Sequence, residues 1–384
     1  MRTLTRICAV IGLAALGLSP LAAHAAPAAE DPALTDATAE ATHEDPTPAE
    51  GPEEGEIPTS SAEESLTDPA EGSAPSEEVT VFPESAEGVE PGDEGEENAG
   101  ETGGTDAAEL VKISLLNIND FHGRISGTVT DGVLTSSPTV QFAGTVEQLR
   151  AVHGADNTLF LSAGDNLGAS LFPSSIAQDL PTIELLNALD LRASAIGNHE
   201  FDGGMQDVER IQGLLKAPLL GANVRYKDTG ANALPAYTIT EAAGLRVGIT
   251  GTAPQDTGFL VGADLSNIEF GDPVEGVNDA VAAMQALPAE KRPDVYVALY
   301  HEGSESGQAG STLEDQMKRD PQFAAIVEET SPLVDVVFTA HTHQEYDWVA
   351  PLPGSDRMRP IMQTGQYGSN VGNVVLTIDA ATKN

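Results

Sequence analysis

Residues 197–202 read Gly-Asn-His-Glu-Phe-Asp, and they directly follow the short apolar run 193–196, which reads Ala-Ser-Ala-Ile. An apolar run of this length is typical of a buried strand, so the polar side chains lie where a strand ends. Asn198 offers an amide oxygen and His199 an imidazole, and both groups can contact a metal ion or a phosphate. The segment therefore predicts one strand of an α/β sheet with a polar site at its carboxyl end.

Four other polar groups follow predicted strands in the same manner. They are Asn119–Gly123 (NDFHG) after residues 111–118, Gly164–Asn166 (GDN) after 158–163, His301 after 294–300, and His341–His343 after 334–339. Five of the six histidines in residues 109–384 belong to these groups or to the first one, and only His153 does not. Because parallel strands end at the same edge of a sheet, we expect all five groups to converge.

Carboxylates, an amide oxygen and imidazoles that converge in this way form a candidate site for two divalent metal ions. One residue separates Asp120 from His122, so on an extended strand end both side chains face the same side. The same spacing separates His341 from His343. Mixed nitrogen and oxygen ligands suit zinc, manganese, cobalt or iron better than calcium or magnesium.

The segments between these strands have helical periodicity. The pattern predicts helices at 139–152, 176–189, 205–215, 274–285 and 323–329. It also predicts a hairpin that turns at Ala243-Gly244, and final strands at 360–363 and 371–378. Strands that alternate with helices indicate a layered α/β domain.

The first 108 residues have two compositions that differ from the rest of the chain. Residues 1–25 combine Arg2 and Arg6 with an apolar stretch and an Ala-His-Ala end, which predicts a secretory signal peptide; the only cysteine, Cys8, lies within it. Residues 26–108 carry 25 Asp and Glu and no Lys or Arg, which predicts a disordered acidic segment. We interpret this segment as a solubilising spacer, with a specific docking segment as the alternative.

Residues 109–384 are predicted to be one domain, with 35 acidic and 16 basic residues and a net charge near −19. Such acidity argues against nucleic acid or an anionic membrane as the main partner. We therefore expect a small-molecule partner, and no stable membrane insertion once the signal peptide is cleaved.

The motifs NDFHG, GDN, GNHEFD, the strand-end His301 and Ala340–His343 (AHTH), in this order and spacing, resemble the calcineurin-like metallophosphoesterases. More narrowly, they resemble the secreted 5′-nucleotidase and UDP-sugar hydrolase family. The resemblance covers about residues 110–378. It implies a four-layer α/β/β/α sandwich over residues 109–384 and two divalent metal ions, zinc, manganese or similar.

The resemblance also implies a role for each site residue. Its metal ligands would be Asp120, His122 and His343 for the first ion, Asn198, His301 and His341 for the second, and Asp165 as the bridge between them. His199 and Asp202 would form a catalytic pair, in which Asp202 orients the imidazole and His199 stabilises charge on the phosphoryl group and leaving oxygen. The nucleophile would be a water molecule activated by the ions. A helix cap at residue 205 is the alternative role for Asp202.

Four other residues or segments near the motifs receive weaker interpretations. Arg124 is predicted to make a surface ion pair, with phosphate contact as the alternative. Asn223 is predicted to be a turn residue or a contact on the substrate side. Glu200 is predicted to support its loop through hydrogen bonds, and residues 366–368 are predicted to form a turn between strands.

The sequence therefore predicts a secreted or cell-envelope enzyme that hydrolyses nucleoside 5′-phosphates to nucleoside and phosphate. A 2′,3′-cyclic-nucleotide phosphodiesterase or a UDP-sugar pyrophosphatase is the alternative, and a metal-binding surface module without turnover is a rival from another class. The family's second domain, which holds the base and the phosphate, has no counterpart here, so the substrate-binding residues are unknown. We expect a truncated sequence or, if the chain is complete, a phosphatase with poor base selectivity.

Overall fold

The computed structural model describes residues 11–12, 110–352 and 355–380. Its strands are Ile11–Gly12 (β1), Leu110–Ile118 (β2), Thr128–Thr130 (β3), Val133–Ser136 (β4), Thr158–Ser162 (β5), Leu191–Ala195 (β6), Leu219–Leu220 (β7), Val224–Tyr226 (β8), Tyr237–Ala242 (β9), Leu245–Thr252 (β10), Ile268–Phe270 (β11), Val295–Tyr300 (β12), Val336–Phe338 (β13), Glu345–Pro351 (β14), Met358–Thr364 (β15) and Asn370–Asp379 (β16). Apart from β1, the predicted signal peptide (1–25) and the predicted acidic segment (26–108) lie outside the described residues, so both remain predictions.

Eight helices connect these strands within the described ranges. They are Pro138–His153 (α1), Phe172–Ser175 (α2), Leu180–Ala188 (α3), Gly204–Leu214 (α4), Thr257–Leu260 (α5), Pro273–Gln285 (α6), Leu313–Arg319 (α7) and Pro321–Glu329 (α8). Short 3-10 turns lie at Ala155–Asn157, His199–Phe201 and Ala289–Lys291. No described helix is long and apolar enough to cross a membrane.

The two large sheets each contain six strands. The first has the order β1-β16-β2-β5-β6-β7, in which β2, β5, β6 and β7 are parallel and β16 runs antiparallel to β2. The second has the order β14-β15-β13-β12-β10-β9, in which β15, β13, β12 and β10 are parallel. The predicted hairpin is confirmed, because β9 and β10 pair around Ala243-Gly244.

Three apolar cores separate four layers. Alternate residues of β2 face opposite sides: Leu116 and Ile118 join a core with α1, α3 and α4, whereas Ile113 and Leu115 join a core shared with the second sheet. On the outer face of the second sheet, β12 packs with α6 and α8 in a third core. The predicted α/β/β/α sandwich is confirmed.

The prediction of one continuous helix over residues 176–189 is wrong. Gln178 and Asp179 between α2 and α3 adopt left-handed backbone angles, with φ of 52° and 58°, and they interrupt the helix. Pro181 then lies in the first turn of α3, where a missing N–H is tolerated; inside a longer helix it would break a hydrogen bond and clash with the preceding turn.

Arg359 on β15 is fully buried and binds the end of α8. Its guanidinium donates to the carbonyl oxygens of Val327 (2.7 Å), Thr330 (3.1 Å) and Ser331 (3.1 Å). Burial lowers the pKa of Arg359 to about 10. The arginine thus satisfies carbonyls that the end of the helix leaves without intrahelical donors.

Replacing Arg359 with methionine is expected to reduce the free energy of unfolding by about 2–4 kcal/mol, because the carbonyls at the end of α8 lose their buried donors. Urea denaturation measures this change. Arg319→Met is the matched control, since Arg319 is exposed at the end of α7 and its loss should change stability little. Equal midpoints for the two variants would contradict the role assigned to Arg359.

Candidate metal centre

The carboxyl ends of the parallel strands in both sheets lie at one edge, where the side chain of the residue after β2 connects the two sheets. Asn119, which follows β2, accepts hydrogen bonds from the backbone N–H (2.8 Å) and hydroxyl (2.6 Å) of Thr364 at the end of β15. Its amide donates to the carbonyl of Gly365 at 2.6 Å. This link connects the first sheet to the second directly beside Asp120.

Asp120, His122 and His343 form the first group of potential metal ligands. Asp120 Oδ1 lies 3.3 Å from His343 Nε2 and 3.9 Å from His122 Nε2. The two imidazole nitrogens are 3.4 Å apart. Three donor atoms thus point towards a common centre, as the ligands of one cation do.

Asp165, His301 and His341 form the second group. Asp165 Oδ2 lies 3.0 Å from His301 Nε2 and 3.8 Å from His122 Nε2, which belongs to the first group. The rings of His301 and His341 have centroids 5.3 Å apart. One carboxylate oxygen of Asp165 therefore lies between the two groups, where a bridging ligand would lie.

Asn198 lies beside Asp165. Both of its neighbours in the chain approach Asp165 Oδ1. Gly197 passes so close that an added Cβ atom would lie 2.0 Å from this oxygen, and His199 donates its backbone N–H to the same oxygen at 2.9 Å. The structure thus brings all seven predicted ligands to this edge of the two sheets.

Three buried donor atoms at the site fit metal ligation. Asp120 Oδ1, Asn198 Oδ1 and His301 Nε2 have no hydrogen-bond partner in the described structure, although Nε2 of His301 lies close to Asp165. Leaving a buried polar atom unpaired costs free energy, so such atoms are rare unless a ligand or an ion uses them. A carboxylate oxygen, an amide oxygen and an imidazole nitrogen are together a suitable donor set for divalent cations.

Hydrogen bonds to the other atoms of these side chains fix their orientation. Asp120 Oδ2 accepts from the Asn119 amide (2.7 Å) and the backbone N–H of His341 (3.0 Å), which leaves Oδ1 for the centre. The Nδ1 atoms of His122 and His301 lie 3.0 Å and 2.9 Å from backbone carbonyl oxygens. A carbonyl only accepts, so Nδ1 carries the proton in both rings and Nε2 is free to bind a metal.

The backbone is strained at most of the ligands. Five of them are non-glycine residues in the left-handed region: Asp120 (φ 49°), His122 (48°), Asp165 (52°), His341 (70°) and His343 (57°). Each such residue costs about 1–2 kcal/mol relative to an ordinary conformation. Strain of this kind persists only where the surrounding structure determines it, and it is concentrated at functional sites.

The electric field of the carboxylates favours positive charge at the centre. Burial opposes protonation of His301 most strongly, yet Asp165, Asp120 and Glu200 outweigh it and raise the pKa of His301 to about 10. Burial, followed by the charge of His301, lowers the pKa of His341 to about 4. The same carboxylates that attract a proton would attract a divalent cation.

Glu200 supports both ligand loops, as predicted. Its buried carboxylate accepts four backbone N–H groups, from Gly197 (2.7 Å), Asp165 (3.1 Å), Asn166 (2.7 Å) and Leu167 (3.3 Å). Burial, together with the charge of Asp165, raises the pKa of Glu200 to about 7. One side chain thus connects the loop that carries Asp165 to the loop that carries Asn198.

Replacing Glu200 with glutamine is expected to lower metal affinity by about 10-fold to 100-fold, as for other groups that orient metal ligands. The new amide would direct N–H groups at backbone donors, and the loops would lose their alignment. Titration of the metal-free protein with zinc measures the affinity. Glu241→Gln, at an exposed position on β9, is the control, and identical affinities in the two variants would refute this prediction.

His199 lies next to the ligand groups without belonging to either. Its Nδ1 lies 3.0 Å and 3.2 Å from the carboxylate oxygens of Asp202, and its ring centroid is 5.1 Å from that of His122. The hydrogen bond with Asp202 is the main cause that raises the pKa of His199. The N-cap residue of α4 is Gly203, with no side-chain capping bond, so the alternative cap role for Asp202 is wrong.

The predicted ion pair of Arg124 is wrong for the described residues; its guanidinium carbon lies 3.8 Å from the centre of the Tyr367 ring instead.

The predicted turn at Asn223 is confirmed, because the residue lies in a turn that the hydrogen bond from Val224 N–H to Gly221 O closes at 3.1 Å. Asn223 is buried and exchanges hydrogen bonds with the backbone of Ala253 and Gly271. Its side chain therefore supports loops and is not available to a substrate.

Sequence reasoning assigned no role to Asn119 and only a turn to Tyr367. The turn is present, between β15 and β16, but the Tyr367 ring also lies 5.9 Å from the ring of His122 and 5.7 Å from that of His343. Both residues could have been found by their positions, since each directly follows or lies near the carboxyl end of a strand at the same edge.

Comparisons with known proteins agree with this geometry. The family described as Calcineurin-like phosphoesterase matches residues 113–345. The chain is 31% identical over 298 residues to Endonuclease YhcR of Bacillus subtilis, covering 72% of this chain and 23% of that protein. It is 27% identical over 274 residues to the 5′-nucleotidase of Vibrio vulnificus, covering 68% of this chain and 46% of that protein.

A solved structure shares the fold. The 5′-nucleotidase precursor from Thermus thermophilus superposes with a TM-score of 0.54 at 22% identity, covering 70% of this chain and 52% of that chain. The chain spans less than half the length of the two curated relatives above. The family match extends over more than half of the chain and includes every predicted ligand. The chain therefore belongs to the calcineurin-like phosphoesterase family of metal-dependent phosphoric ester hydrolases.

Proposed function

We propose that the protein hydrolyses nucleoside 5′-phosphates to nucleoside and inorganic phosphate at a centre of two divalent cations. The observation that carries the proposal is the position of His199. It lies beside both ligand groups, is oriented by Asp202, and is partly exposed. A protein that only stores or binds metal has no need of an oriented imidazole at this place.

The ligands divide between the two cations as the geometry suggests. Asp120, His122 and His343 would hold one, Asn198, His301 and His341 the other, and Asp165 would contact both. Bound divalent cations neutralise phosphoryl oxygens and lower the pKa of water, which supplies a nucleophile at neutral pH. Five of the seven side chains that would hold these charges are buried, and His341 and His343 are partly buried. Charges have a larger effect on a phosphate in such surroundings than in water.

His199 supplies the proton that the reaction needs. Asp202 accepts a hydrogen bond from Nδ1–H of His199, so Nε2–H of the imidazolium is the group that can reach the substrate. As the ester P–O bond breaks and the oxygen of water forms the new P–O bond, His199 donates its proton to the leaving oxygen. The products are a nucleoside with a free hydroxyl group and phosphate.

The substrate class is supported by the relatives and by charge. One relative is named a 5′-nucleotidase, which favours nucleoside monophosphates. Another is named an endonuclease, so cleavage of nucleic acid is an alternative that has to be tested. The net charge near −19 opposes it, because a polyanion would be repelled over a long surface.

The place of action is also part of the proposal. The charged start, apolar middle and small-residue end of residues 1–25 support export, and the single cysteine at position 8 leaves an exported protein without disulfides. We infer a secreted or envelope-associated enzyme.

The test is phosphate release by the full chain with added manganese or zinc. AMP, 2′,3′-cyclic AMP, UDP-glucose and single-stranded DNA are compared at equal concentration. Fastest hydrolysis of AMP is the expected result. Preference for the cyclic nucleotide or UDP-glucose would replace the proposed substrate by the alternatives, cleavage of DNA would favour the endonuclease, and turnover of none of them would overturn the proposal.

A further inference from the structure

Arg124 is a basic side chain near the first ligand group that has no acidic partner among the described residues. Its Nε atom is buried and makes no hydrogen bond in the described structure. Six other arginines contact a carboxylate instead: Arg150, Arg192, Arg210, Arg225, Arg246 and Arg357. In a domain with an excess of acidic residues, an arginine without a carboxylate is available to bind an anion.

Tyr367 holds this guanidinium beside the metal centre. The guanidinium carbon of Arg124 lies 3.8 Å from the ring centroid, a cation–π contact, and the same ring lies steeply inclined to the rings of His122 and His343, with interplanar angles of 68° and 67°. The backbone N–H of Tyr367 donates to the carbonyl of Asp120 at 2.8 Å. Arg124 is therefore fixed to the first ligand group through a single aromatic ring.

The backbone at Tyr367 has an unusual conformation for an aromatic residue. Its φ is 61°, in the left-handed region, and glycines with positive φ lie at 365 and 368. A turn alone would be formed at lower energy by glycine or asparagine at this position. The retained strain instead places a large ring, 37% exposed, between the ligands and Arg124.

We propose that Arg124, positioned by Tyr367, binds a second phosphate group of the substrate, the one bonded to the phosphoryl group under attack. With this subsite, the centre would accept nucleoside diphosphates in addition to the nucleoside monophosphates of the proposed function. The Tyr367 ring separates the guanidinium from His122 and His343. The guanidinium would therefore contact the second phosphate group of the substrate and not the phosphoryl group that lies between the two ligand groups. Arginine suits this role because its planar N–H groups can bind two phosphate oxygens at once.

The inference rests on the proposed function, because the subsite serves the same hydrolytic centre. With a nucleoside diphosphate, water forms the new bond to the terminal phosphorus and the bridging P–O bond breaks. The nucleoside monophosphate leaves with the bridging oxygen while Arg124 holds its phosphate. Inorganic phosphate and one proton are the other products.

The first test compares ADP with AMP as substrates of manganese-loaded protein. Arg124→Met is expected to lower kcat/KM for ADP about 10-fold to 100-fold more than kcat/KM for AMP, which is the effect of losing a charge-assisted contact to one phosphate. The ADP-to-AMP ratio of kcat/KM for Arg124→Lys should lie between those of wild type and Arg124→Met, since lysine keeps the charge but cannot form two parallel hydrogen bonds to a phosphate. Arg319→Met removes an exposed arginine at the end of α7 and should not change the ratio.

The positioning role of Tyr367 has its own comparison. Tyr367→Leu removes the ring and should shift the ADP-to-AMP ratio in the same direction as Arg124→Met. Tyr367→Phe keeps the ring face that carries the cation–π contact, so its ADP-to-AMP ratio should stay close to that of wild type. A residue that served only the turn would show no difference between the leucine and phenylalanine variants.

A binding measurement separates failure of this inference from failure of the proposed function. Calorimetric titration uses inorganic phosphate and a nucleoside diphosphate whose bridging oxygen is replaced by a methylene group, so no turnover is required. Arg124→Met should weaken binding of the diphosphate analogue more than binding of phosphate. If the wild-type protein hydrolyses neither ADP nor AMP, the proposed function fails. The binding measurement would then still test whether Arg124 binds a second phosphate group. Equal losses for both probes, or none, would overturn the inference.

Discussion

Replacing Asp165 with asparagine is expected to remove nearly all phosphoesterase activity together with stoichiometric metal. Asp165 Oδ2 lies between His122 of the first ligand group and His301 of the second. An amide carries no charge to offset the repulsion between two cations. Because bound cations would contribute several kcal/mol of transition-state stabilisation, we expect a decrease in kcat/KM on the order of 10³-fold or more.

Elemental analysis of the purified variant and its rate of phosphate release together measure this effect. Asp190→Asn is the matched control, because Asp190 also has a left-handed backbone (φ 54°) but is exposed and pairs with Arg192 at the surface. The control should keep both its metal content and its rate. Full metal content and normal turnover in Asp165→Asn would mean that this carboxylate does not bridge the ions.

Replacing His199 with alanine is expected to slow turnover by about 10²-fold to 10⁴-fold, the range for loss of a general acid. Metal content should remain normal, because His199 is in neither ligand group, and this distinguishes it from Asp165→Asn. The loss should be smaller with p-nitrophenyl phosphate, whose leaving group departs without needing a proton. Rates with AMP and with this ester, at equal metal loading, measure the difference.

His153→Ala is the control for His199→Ala. His153 ends α1, and its Nε2 lies 3.0 Å from the side-chain amide of Asn373. Removal of the His153 side chain should leave the ratio of the rates with AMP and p-nitrophenyl phosphate unchanged. A loss in His199→Ala that is equal for both esters would argue that His199 stabilises the phosphoryl group rather than the leaving oxygen.

The parallel strands and most helices were predictable because burial determines their sequence patterns. Strand β12 is a continuous apolar run, and the fully buried β5 is apolar at residues 159–161, as is typical of strands covered on both faces. Helix α1 carries Phe142, Val146 and Leu149 on one face. The site was predictable for a related reason: its residues follow the carboxyl ends of parallel strands, and these ends lie at one edge of a sheet. Every predicted ligand follows one of these strands.

The elements that were missed lack such a pattern. Strands β3 and β4 form an exposed hairpin, so no apolar periodicity indicates them. Strand β14 begins two residues after the last ligand, and its pairing with β15 depends on a long-range register that no local signal encodes. Arg359 was unpredictable for a related reason: a charged residue in a strand normally faces solvent, and only tertiary contacts with α8 reveal its burial.

The fine geometry of the site was also not contained in the motifs. The cation–π contact of Arg124 requires Tyr367, a residue more than two hundred positions away, to reach the loop after β2. The link from Asn119 to Thr364 depends on the same approach. Spacing in sequence can show which strand ends carry polar groups, but not which loops of the two sheets contact each other.

The position of β16 beside β2 in the first sheet has a consequence for biosynthesis. Every predicted ligand is translated before Met358, yet β2, which Asp120 follows, acquires its antiparallel neighbour only when residues 370–379 have been made. A chain that is still being translated can therefore contain all seven predicted ligands while one edge of β2 has no neighbouring strand. High-affinity metal loading is thus expected to require that residues 370–379 have been made and have paired with β2.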